Sequence, residues 1–103
     1  MNHTYKNMIP VIVGDDPFVI SLAREKCGGL MHVFTDRPKL IMRLDPRIKV
    51  HRVSGMSHEI ISMYLNSFAN DNPEYPVLVF AKRELSDIEP FIEHNCILWK
   101  EET

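Results

Sequence analysis

The sequence predicts an α/β domain: a three-layer open parallel sheet of about five strands in the order 3-2-1-4-5, with helices on both faces. Three observations carry that expectation. Short apolar runs alternate with stretches of helical period, giving β-α-β-(turn)-β-α-β-α-β, and such alternation implies parallel strands joined by right-handed crossovers. The first and fourth strands, near 8–13 and 76–81, are continuously apolar, as strands buried on both faces are. A doubly wound order places those two side by side at the centre. With 103 residues the chain is long enough for one core and too short for two, so a single domain over 1–103 is expected.

Residues 1–8 are polar and read as a loose lead-in, with the first strand over about 8–13. Pro10 lacks a donor and therefore belongs near the strand's beginning or on an unpaired side. Gly14, Asp15, Asp16 and Pro17 punctuate the chain before Phe18 and Leu22, and Val19 and Ala23, recur four apart. Asp16 is a suitable N-cap and Pro17 suits the first helical position, so the first helix covers 17–27 and ends at Gly28-Gly29. A second strand is expected over 30–34, closed by Thr35-Asp36-Arg37-Pro38, and a short helical turn over 39–44 between Pro38 and Pro46.

Residues 48–53 alternate apolar and polar, which predicts an edge strand with one solvated face. Ser57 then caps a helix whose stripe is Ile60, Ile61, Tyr64, Leu65 and Phe68, stopped by Asn70-Asp71-Asn72-Pro73. Met56 and Met63 read as packing or interface residues beside it, with packing in the core favoured. After the central strand, Ser86 and Glu89 form a capping-box pattern leading into a third helix through Ile88, Phe91 and Ile92, ended by His94-Asn95. A short strand over 96–99 carries Trp99, which would be an odd exposed residue unless something covers it.

A net charge of −2 and 12 scattered basic residues argue against a nucleic-acid partner. The apolar runs are far short of the roughly 20 residues that span a bilayer, and residues 1–7 hold no apolar signal core, so no membrane contact and a cytoplasmic location are expected. Cys27 and Cys96 are distant in sequence and flanked by apolar neighbours, which suits reduced, half-buried thiols. The five histidines show no ligand spacing and read as surface residues, so no metal site is expected.

In an open parallel sheet, ligands bind beyond the carboxyl ends of the strands at the point where the order reverses. The residues falling there are Gly14, Asp15 and Asp16 after strand one, Thr35 and Asp36 after strand two, and Lys82 and Arg83 after strand four. Gly14 also suits a tight turn and Asp16 a helix cap, which leaves Asp15 as the carboxylate without a structural duty. Asp36 lies about 20 residues past the first turn, where a ribose-binding acid would sit. The dinucleotide fingerprint nonetheless fails: Gly14 is followed by Asp15, Asp16, Pro17, Phe18 and Val19, without the further glycines that let a backbone approach pyrophosphate.

The stretch Ile-Pro-Val-Ile-Val-Gly-Asp-Asp-Pro-Phe-Val-Ile-Ser-Leu-Ala-Arg over 9–24 resembles the opening of carboxylate–amine ligases of the ATP-grasp superfamily, particularly D-aspartate-ligase-like members. Gly14, Asp15, Ala23 and Arg24 match that pattern, while Asp16 and Pro17 replace more usual residues. The resemblance implies a Rossmann-like pre-ATP-grasp domain on the acceptor-substrate side of the active site. It implies that ATP and magnesium are held by the following domains of a full-length ligase, that this domain binds no cofactor and is not active alone, and that Gly14, Asp15 and Asp16 face substrate, with Lys82 and Arg83 beside them. Partners expected on this reading are the following ATP-grasp domains or, through an apolar surface left uncovered, a second copy of the chain.

Two other classes stay open. The stretch from Val13 to Arg24 also resembles, more distantly, the ligand-gating domain that regulates potassium transport, a nucleotide-sensing module, although the glycines are missing. A protein-interaction or receiver-like α/β domain is the other: Asp15-Asp16 and Lys82 suit an acidic phosphoacceptor pocket, but Val53 is followed by Ser54-Gly55 rather than an aspartate.

Overall fold

The computed structural model describes residues 5–41, 47–93 and 95–100. Five parallel strands, β1 (Ile9–Val13), β2 (Met31–Thr35), β3 (Ile48–Arg52), β4 (Val77–Ala81) and β5 (Cys96–Leu98), form one sheet in the order β3-β2-β1-β4-β5. Helix α1 (Pro17–Cys27) covers one face. Helix α2 (His58–Asp71) and a 3-10 helix, Ser86–Phe91, cover the other. The three-layer expectation and the strand order both hold.

Side-chain alternation along the central strands supplies the two cores. On the α1 face Ile12, Met31, Val33, Leu78 and Phe80 pack on Ile20, Ala23 and Cys27. On the α2 face Val11, Val13, Phe34, Val77 and Val79 pack on Ile61, Leu65, Phe68 and Ala69. Pro10 is accommodated as its missing donor requires. Ile9 donates to the Pro76 carbonyl, so Pro10 turns its nitrogen toward β2, whose pairing with β1 begins only at Val11.

Two elements and one side chain differ from the sequence reading. The third helix is a 3-10 segment, not a capped α-helix: with Leu85 as its N-cap, Pro90 falls beyond the first turn and cannot donate to the Ser86 carbonyl. Glu84, rather than Glu89, accepts from the Ser86 backbone at 3.1 Å, so the capping box does not form. Residues 5–8 make a turn tied down by Tyr5 donating to the Lys26 carbonyl at 2.9 Å, and the Tyr5 ring meets Trp99 edge-on. Trp99 is thereby covered, between Tyr5 and a stacked Phe80, with the Lys26 ammonium 5.6 Å from its ring centre. Met63 is 59% exposed, so of the two methionines only Met56 packs on the core. The 3-10 turn Pro38–Leu40 stands where the short helical turn was expected; its 42–44 portion, residues 1–4, His94 and the tail 101–103 lie outside the described residues.

Among the described residues no helix is long and apolar enough to cross a membrane. Both cysteines are buried and free, and burial pushes their thiols up, to about 11 for Cys27 and about 12 for Cys96.

Candidate functional site

The crest of the sheet is built where β1 and β4, neighbours in space, send their chains to opposite faces. Gly14 makes the exit from β1: its φ of 108° is open to glycine and strained for other residues, while its N–H still donates to the Phe34 carbonyl at 2.9 Å. Asp16 follows in extended backbone and caps α1, its Oδ1 accepting from Phe18 at 2.8 Å and Val19 at 3.3 Å. Pro17 has no donor to offer, so the cap carboxylate itself takes up the first-turn N–H groups that would otherwise draw an anionic ligand.

Each aspartate of the turn has a cation. Asp16 Oδ2 lies 3.4 Å from Lys82 Nζ at the end of β4. Burial raises the Asp16 pKa, but the two backbone donors and Lys82 outweigh it and hold the carboxyl below its ordinary value. Asp15 Oδ2 lies 3.0 Å from Arg37 Nη2, with the Asp15 side chain 22% and the Arg37 side chain 67% exposed. Arg37 is aimed by the end of β2, where Thr35 Oγ1 accepts from the Arg37 backbone at 3.0 Å.

Of the residues the sequence placed at this site, Gly14, Asp15, Asp16 and Lys82 come together. Thr35 is buried and serves structure, its carbonyl accepting from Val53 and its hydroxyl from Arg37. Asp36 is exposed beside it. Arg83 is engaged elsewhere, donating to the Met56 carbonyl at 2.8 Å in the loop before α2. Arg37 is the residue that sequence reasoning missed. Its position just past a strand end was the available signal, and it was read only as part of a turn.

A groove of 780 Å³ opens beside Lys82, lined among others by Val19, Leu22, Leu98 and Trp99. It exists because the β4–β5 ladder ends at Val79↔Leu98 while β4 runs on to Ala81. The crest therefore combines two carboxylates, two cations and an adjoining groove with one apolar wall, from Val19 and Leu22 to Trp99, and one polar wall that includes Glu84 and Ser86.

A second cluster lies on the α2 face. His32 Nδ1 and His51 Nε2 are 3.0 Å apart, His51 stacks on Phe34 at 4.5 Å, and the Phe68 ring meets both imidazoles. Desolvation, then the nearby His51 and Lys49, push His32 down to about 4; desolvation and Lys49 also lower His51. These two histidines are half-buried aromatic packing, not the surface residues the sequence suggested. Among the described residues no group of three or more His, Cys, Asp or Glu could hold a metal ion.

No family model, curated protein or solved structure matches the chain.

Proposed function

We propose that this domain is the acceptor-side module of an ATP-dependent carboxylate–amine ligase, catalytically incomplete by itself, and that its crest holds the amino-acid acceptor. The observation that carries this reading is the paired arrangement Asp15–Arg37 and Asp16–Lys82 at the strand-order reversal. A free amino acid is a zwitterion, and a site of two carboxylates and two cations offers each of its charges a counter-charge: Asp15 for the ammonium, Arg37 and Lys82 for the carboxylate. The groove beside Lys82 gives the ligand's side chain an apolar wall.

In this reading ATP and magnesium belong to further domains of the ligase. The crest is poorly suited to a phosphate because Asp16 already accepts from the α1 donors and adds negative charge there. The same observation weighs against the nucleotide-sensing alternative.

Calorimetric titration of the chain with aspartate and other free amino acids, and with their N-acetyl and amide derivatives, tests the reading. Binding of the zwitterions, weakened when either end is blocked and absent for ATP with magnesium, is the expected result. Binding of ATP in preference to amino acids would overturn it in favour of a nucleotide sensor.

A further inference from the structure

The two edges of the sheet are protected differently. An edge strand presents unpaired N–H and C=O groups, which proteins commonly guard with charge. At one edge β3 carries exposed Lys49 and Arg52. At the other, β5 is the uncharged triplet Cys96-Ile97-Leu98, with Ile97 47% exposed. We propose that the edge of β5, unpaired among the described residues, is a two-fold interface with a second copy of this chain, formed by antiparallel β5–β5 pairing.

Hydrogen-bond direction fixes the register. Trp99 donates to the Val79 carbonyl at 2.7 Å and so faces β4; alternation turns Ile97 the same way and turns Cys96 and Leu98 outward. The Cys96 N–H is already taken by the Glu93 carbonyl at 3.0 Å. What remains on the edge, among the described residues, is the Leu98 N–H with the Cys96 and Leu98 carbonyls. A two-fold axis at Ile97 joins the Leu98 N–H of each copy to the Cys96 carbonyl of the other and leaves the Leu98 carbonyls to solvent. The same axis sets Ile97 opposite its own counterpart as a non-hydrogen-bonded pair, with Cβ atoms about 4.5–5.5 Å apart.

Charge agrees with that register. The 430 Å³ groove along β5 has Glu89 and Glu93 before the strand and Lys100 after it, with Lys100 Nζ 3.1 Å from Glu89 Oε1 of its own chain. Antiparallel superposition of two such edges brings this exposed ammonium of each copy beside Glu93 of the other, so that it bridges Glu89 of its own chain and Glu93 of the partner and the surface complements itself. This self-complementarity selects a second copy over an unrelated strand. The paired segments are short, which places the dimer among weak interfaces.

Sedimentation velocity from about 10 µM to about 1 mM should show a monomer–dimer equilibrium. Ile97→Lys, which sets two ammonium groups against each other across the axis, should weaken dimerisation at least about tenfold while leaving the thermal midpoint and circular dichroism unchanged. Glu93→Lys and Lys100→Glu should each weaken it, and the double exchange should restore it. Under mild oxidation Ile97→Cys should cross-link and Lys49→Cys should not; the buried native thiols do not compete. A monomer at the highest concentration, a dimer indifferent to Ile97→Lys, or cross-linking through position 49 alone would overturn the proposal.

Discussion

Acidification between pH 6.5 and 4 should weaken this fold through His32. In the unfolded chain the imidazole titrates near 6.5, whereas in the folded protein desolvation, His51 and Lys49 push it down to about 4. Above 6.5 both states hold the ring neutral and pH has no effect. Between 6.5 and 4 the unfolded state binds a proton that the folded state refuses, so stability falls as pH falls; below 4 both are charged and the loss levels off. The full shift corresponds to a ceiling of about 3 kcal/mol, and the partial water access of the ring lowers this to about 1–2 kcal/mol. With a urea slope of about 1 kcal/mol/M for a chain this size, the midpoint should drop by about 1–2 M. Urea titrations at intervals from pH 7 to 4, on the native protein and on His32→Leu, isolate the contribution, because the other titrating groups are common to both. The native protein should lose about 1–2 kcal/mol more than the variant across that window. Parallel curves, or an imidazole of His32 titrating at 6.5 by NMR, would refute the reasoning.

Three further outcomes are expected. Leu65→Ala removes a fully buried side chain where α2 meets the sheet and should cost about 3 kcal/mol by thermal or urea unfolding, with the far-ultraviolet spectrum retained. Gly14→Ala places a side chain at a φ of 108°; nothing crowds the new Cβ, so the backbone penalty alone, about 1–2 kcal/mol, should appear in the unfolding midpoint. Arg37→Met breaks an ion pair whose arginine is largely exposed, so stability should change by less than about 1 kcal/mol while amino-acid binding measured by calorimetry is lost.

The layers of this fold were legible because their signals are local. The continuous apolar runs of β1 and β4, the Asp16-Pro17 start of α1 and the Ser57 start of α2 each declare themselves within a few residues, and each stands where it was expected. What stayed hidden depends on contacts distant in sequence. His32 and His51 are 19 residues apart and meet only because parallel pairing sets Phe34 opposite His51, leaving the two imidazoles diagonal neighbours on one face. Arg37 became part of the crest only once the β1 and β2 ends were adjacent. The Ser86-x-x-Glu89 pattern misled because a capping box presumes an α-helical turn beyond it, which Pro90 denies.

Mapping amide shifts in the ¹⁵N-labelled protein as a free amino acid is added tests the central proposal most directly. Shifts should concentrate at Gly14, Asp15, Asp16, Arg37 and Lys82, be reduced by Arg37→Met, and leave the α2 face unmoved. Silence at the crest at saturating amino acid, or shifts there with ATP and magnesium instead, would contradict it.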